Sequence, residues 1–100
     1  MLMGLFGKKK EIPALKPTDI FSEELLEKIT TVIKPKSYGG GPMDVAKDAL
    51  VEFARDPQKV YSYHELGNVI YSAGMFTRLE PDLAPLLKEG IQKYKAWKKQ

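Results

Sequence analysis

This chain of 100 residues, 43% hydrophobic and 29% charged, has the composition of one globular domain with a single core; a disordered polypeptide and a pair of ordinary domains are both excluded. It contains no cysteine, so disulfide staples, thiolate metal centres and cysteine nucleophiles are ruled out, and a reducing, cytoplasmic setting fits. The net charge of +3 is concentrated at the two ends: Lys8, Lys9, Lys10 and Lys16 face only Glu11, and Lys88, Lys93, Lys95, Lys98 and Lys99 face only Glu89, leaving an acidic body.

Residues 1–16 read as a basic, flexible segment, and residues 17–100 as a single helical domain. The opening "MLMGLFGKKK" places its lysines after the apolar stretch, opposite to a secretory signal, and the run is too short to span a bilayer. Beside three lysines, its Leu2, Met3, Leu5 and Phe6 also suit an anionic membrane surface. After Pro17, "TDIFSEELLEKITTVIK" repeats apolar residues at Phe21, Leu25, Ile29 and Ile33, which predicts a first helix ended by Pro35. "KPKSYGGGP" is a loop by composition and reads as a hinge; the acid at Asp44 opposes a phosphate-cradling role for its glycines.

Gly41 and Pro42 open a second helix, "PMDVAKDALVEFA", which buries Ala46, Ala49, Leu50 and Phe53. A third helix begins at Tyr61 or Ser62, with Ser62 and Glu65 forming a capping box, and Gly74 is placed to end it. Met75 to Pro81 then reads as a turn. In the fourth helix Asp82 caps, Pro85 sits in the first turn, and Leu83, Leu86 or Leu87, Ile91, Tyr94 and Trp97 follow the helical period. No stretch alternates as a strand would. The expected fold is all-α, a compact four-helix domain or bundle of helical hairpins.

Within the third helix, Tyr63, Leu66, Gly67 and Ile70 share one face, which predicts core with a close helix approach at Gly67. Tyr61, His64, Asn68, Tyr71 and Ser72 share another, aromatic and polar, which suits a partner. Pro57, Tyr63, Leu66, Gly67, Tyr71, Gly74 and Phe76 resemble the first helix and turn of a tetratricopeptide repeat, over residues 57–76. The resemblance implies a concave peptide-binding side carried by Tyr61, His64, Asn68 and Tyr71, with Asn68 gripping a peptide backbone or carboxylate. Leu79 stands where the family carries a small residue, and Pro81 and Pro85 interrupt its second helix.

"DPQKVYSYHELGNVI" also resembles the approach to a winged-helix DNA reader, although Pro81 truncates the would-be recognition helix and no wing follows. Nucleic-acid binding would instead fall to Lys88, Lys93, Lys95, Lys98 and Lys99, with Tyr94 and Trp97 stacking on bases. Catalysis is not expected. His64 is the only histidine, no spacing suggests a metal site, and no nucleophile stands beside a base. The sequence thus predicts a small cofactor-free interaction module that binds a peptide or partner helix, with a basic nucleic-acid-binding protein as the alternative. A homodimer would serve to cover any apolar patch left open.

Overall fold

Ser22 breaks what the apolar spacing joins. The computed structural model describes residues 14–98, and in it the predicted first helix is three pieces. A single turn, α1 (Pro17–Ile20), opens with the Lys16 N–H donating to the Asp19 carboxylate at 2.8 Å. The chain then extends at Phe21, and α2 (Glu23–Lys28) restarts where the Ser22 hydroxyl accepts the Leu25 N–H at 3.1 Å. The break lets the consecutive Ile20 and Phe21 both enter the core. From Ile29 to Ile33 the helix widens into a π turn, closed by Lys34 N–H to Ile29 C=O at 2.9 Å. Thr30 and Thr31 both donate their hydroxyls to the Glu27 carbonyl, the back-bonding by which β-branched alcohols disturb a regular α ladder.

The glycine loop is tied at several points. Gly39, Gly40 and Gly41 all have left-handed φ, +89°, +81° and +69°, and the Asp44 carboxylate accepts the N–H groups of Tyr38 (3.1 Å) and Gly40. The position an anion would take is therefore filled by the chain's own acid. Lys47 adds a bond from its ammonium to the Lys36 carbonyl at 2.8 Å. Where the sequence suggests a hinge, the structure has a fastened strap.

As predicted, Gly41 and Pro42 begin the next helix, α3 (Pro42–Arg55), which buries Ala46, Leu50, Phe53 and Ala54; Ala49 is only half-buried. A two-residue strand, β2 (Tyr61–Ser62), pairs antiparallel with β1 (Ala14–Leu15), Ala14 opposite Ser62 and Leu15 opposite Tyr61. Strands this short show no alternation, which is why sequence periodicity misses them. The folded unit consequently already includes Ala14 and Leu15; the reading of residues 1–13 as flexible or membrane-seeking lies outside the described residues.

The capping box forms as expected: Ser62 N–H donates to Glu65 Oε1 at 2.8 Å, and Glu65 N–H to Ser62 Oγ at 3.3 Å. It starts α4 (Tyr63–Leu79), which runs through Gly74 without interruption and ends at Glu80. The predicted stop at Gly74, and the turn that the repeat resemblance places there, are not formed. One more turn carries Phe76 into full burial against Tyr38, with ring centroids 5.0 Å apart. That burial, about 2–3 kcal/mol, outweighs the glycine's helix cost of about 1 kcal/mol. A 3₁₀ turn, Pro81–Leu83, holds Asp82, so Asp82 is not the helix cap; α5 (Ala84–Lys98) follows with Pro85 in its first turn.

Helix makes up 75% of the described chain, so the all-α class holds. α4 is central, packed on α3 along one side and on α5 along the other, while α1 lies across α5 and the π turn against α3. Its core face is Leu66, Val69, Ala73 and Phe76. Gly67 is exposed, and a Cβ added there would meet nothing within 4 Å, so it admits no neighbouring helix within the chain. The close approach is made instead by Gly90 of α5, against Phe21.

Candidate docking groove between the third and fourth helices

Small residues on α3 keep it from sealing its side of α4. Val45 and Ala49, one turn apart, and Ala46 beside them face Asn68, Tyr71, Ser72 and Met75 of α4 across a groove of about 510 Å³. Ser72, expected on the partner-facing side, is buried where the helices meet. Val45 is 68% exposed and Tyr71 71%, the largest exposures among the described bulky apolar side chains. An uncovered apolar surface costs solvation free energy, so its contiguity with a polar rim marks a contact site.

The groove continues past Asn68 into a second hollow lined by Ala49, Glu52, Lys59, Tyr61 and Glu65. This end is polar. Glu65 is held below the usual carboxylate range by its hydrogen bonds with the Ser62 backbone and side chain, and Glu52 pairs with Arg55 at 3.8 Å in solvent. At the opposite end Tyr71 and Met75 adjoin Arg78. The lining thus runs from a mixed charged end, past the Asn68 amide, to the apolar and aromatic Tyr71 and Met75 and then to Arg78.

Of the residues proposed from sequence, His64, Asn68 and Tyr71 are exposed on one side of α4, and Asn68 and Tyr71 line the groove. Tyr61 departs from this set. It sits in β2 rather than on the helix, is buried at 7% exposure, and packs on Phe53 at 5.0 Å between centroids. Its hydroxyl is buried without a hydrogen-bond partner among the described residues, and burial first, then the charges of Glu52, Asp56 and Glu65, push its pKa up. The α3 half of the groove was missed. The available signal was Val45, a β-branched apolar residue off the buried stripe of Ala46, Leu50 and Phe53.

The predicted basic surface is dispersed. Tyr94 is buried, stacked parallel to Tyr63 at 6.3 Å, and Trp97 packs on both tyrosines at 5.8 and 5.6 Å. Tyr94 therefore has no free face for a base, while Trp97 stays half-buried at the edge of the cluster. Lys98 folds onto the same cluster, 5.4 Å from the Tyr63 centroid, and Lys93 pairs with Glu89 at 3.8 Å. Lys88 and Lys95 remain exposed, and Lys99 lies outside the described residues.

One buried charged cluster lies elsewhere and serves the strap. Glu80, 8% exposed, accepts hydrogen bonds from the Tyr38 hydroxyl at 2.7 Å and the Lys36 ammonium at 2.8 Å. Burial raises its pKa, but the bonds from Lys36 and Tyr38 and the lysine charge outweigh that, and the net shift is downward. A depressed carboxylate contributes stability that is complete above its unfolded pKa and lost as pH falls through the folded value. Tyr38 is shifted the other way, upward, by burial and by Glu80 and Asp44, so its share is lost only as pH rises through that raised value. Acidification below about pH 4.5 should therefore lower Tm, and Glu80→Gln should flatten that acid limb. Tyr38→Phe should cost about 1 kcal/mol at neutral pH. An unchanged acid limb in Glu80→Gln would show that other carboxylates govern it.

Among the described residues no group of His, Cys, Asp or Glu is placed to hold a metal, and no helix is long and apolar enough to cross a membrane. No protein-family model, curated protein or solved structure matches the chain.

Proposed function

We propose that the protein is a small non-catalytic interaction module of the cytoplasm that docks a peptide or a partner helix in the α3/α4 groove. The observation that carries this reading is the open apolar trough itself, with Val45 and Tyr71 standing in solvent on either side of it. A helical ligand would set apolar anchors at one-turn spacing between Val45, Tyr71 and Met75, as helix-in-groove recognition requires. Asn68 supplies a donor and an acceptor midway, able to fix the register of a backbone or a polar side chain. Tyr71 is the expected hot spot, since a rigid aromatic buries much area at little entropic cost.

Panning a display library of amphipathic helical peptides on the domain tests this. Selected peptides should lose about 2 kcal/mol of affinity, roughly 30-fold, on Tyr71→Ala, while Tm moves little because the side chain is exposed. Failure to enrich any ligand, or ligands indifferent to both Tyr71→Ala and Val45→Asp, would refute the reading. A labelled single strand titrated at two salt concentrations examines the nucleic-acid alternative. Affinity that falls steeply with salt and needs Lys88 and Lys95 would favour it.

A further inference from the structure

α4 carries at its own ends the charges that the groove beside it would attract. Its first turn holds Glu65 and its last Arg78, and Tyr71, 71% exposed, is its middle residue. Three hollows follow one another along it: the first shares Ala49 and Asn68 with the second, and the second shares Tyr71 and Met75 with the third. Glu52, Glu65 and Lys59 line the first, and Arg78 the third. Counting Asp56 and Arg55, whose charges also reach Tyr61, three carboxylates at the first end meet two cations. None of the ion pairs among the described residues engages Arg78. α3 and α4 run antiparallel here, Glu52 near Glu65 and Val45 near Tyr71, so their terminal partial charges offset one another and the side chains set the sign of each end.

We propose that the partner helix is α4 of a second copy, crossing antiparallel about a two-fold axis at Tyr71. The proposal rests on the docking reading above and names its partner. An antiparallel crossing brings Arg78 of each copy level with the first turn of the other, beside Glu65 and Glu52, so the attraction is made twice. A parallel crossing would set Arg78 against Arg78 and Glu65 against Glu65. The apolar hold comes from Tyr71, Val45 and Met75 of both copies. Gly67 and Gly74 flank Tyr71, and a Cβ added at either would meet nothing within 4 Å among the described residues, which leaves space for the facing Tyr71 ring. α4 is about 25 Å long and the α3–α4 face about 20 Å wide, giving roughly 500 Å² per copy. A total of about 1,000 Å² is the lower bound for a specific interface, so the dimer is weak and concentration-dependent.

Sedimentation of the full chain over a concentration series tests this. A monomer–dimer equilibrium with Kd on the order of 10 µM is expected, tighter at low salt. Tyr71→Ala should abolish the dimer while Tm moves little. Arg78→Glu should raise Kd about tenfold, and Glu52→Arg added to Arg78→Glu should recover most of that loss. Neither misfolding nor general apolar association would give such a rescue. A chain monomeric at about 500 µM, a dimer indifferent to Tyr71→Ala, or a charge swap without rescue would overturn the proposal. Panning below the dimer's Kd leaves the groove open, so a monomeric chain whose panned peptides still need Tyr71 keeps the docking groove and loses only the second copy.

Discussion

Phe53→Ala should destabilise the domain by about 3–5 kcal/mol, the range for emptying a large aromatic site in a packed core. Phe53 is 1% exposed and meets two rings from distant parts of the chain: Phe21 edge-on at 5.4 Å and Tyr61 at 5.0 Å. Its removal leaves a void bounded by α1, α3 and β2, elements whose backbones are fixed by caps and pairing and so collapse poorly. A domain of this size has about 5–15 kcal/mol in total, so the variant should be partly unfolded near 37 °C. Urea denaturation measures this: the midpoint falls while the slope is retained. A loss below about 1 kcal/mol would mean that the three rings do not form one packed unit.

Gly90→Ala is the second large effect, and its sign opposes the usual rule. In an exposed helix this change gains about 1 kcal/mol. Here an added Cβ would overlap two ring carbons of Phe21 and lie 3.1 Å from the Ile20 carbonyl oxygen. Phe21 is buried and cannot swing aside, so overpacking of about 1–3 kcal/mol or more should exceed the propensity gain. A double-mutant cycle isolates the contact: in a Phe21→Ala background, Gly90→Ala should become neutral or stabilising. The same loss in both backgrounds would place the strain elsewhere.

What was legible in the sequence is local. The Ser62 and Glu65 box and the Gly41–Pro42 start are local, each closed within one helical turn, and both were readable from residue type and spacing alone. Ser22 before two glutamates carried the same kind of signal, overridden in reading by the longer apolar period. Gly74 and Gly90 were not legible. Whether a glycine ends a helix or accommodates a neighbour depends on what the tertiary fold brings to it, Phe76 burial in one case and Phe21 in the other. The candidate site was half readable for the same reason. Asn68 and Tyr71 follow from one helix's periodicity, but the partner wall of Val45 and Ala49 exists only once α3 and α4 pack.

The stretch from Ala14 to Ser22 is anchored twice, by its pairing with β2 and by the Phe21 ring beneath Gly90. Ala14 and Leu15 can unpair by themselves, but withdrawing Phe21 from beneath Gly90 uncovers the Phe53 ring. Amide exchange across α1 is thereby linked to opening of the central core rather than to ordinary end-fraying.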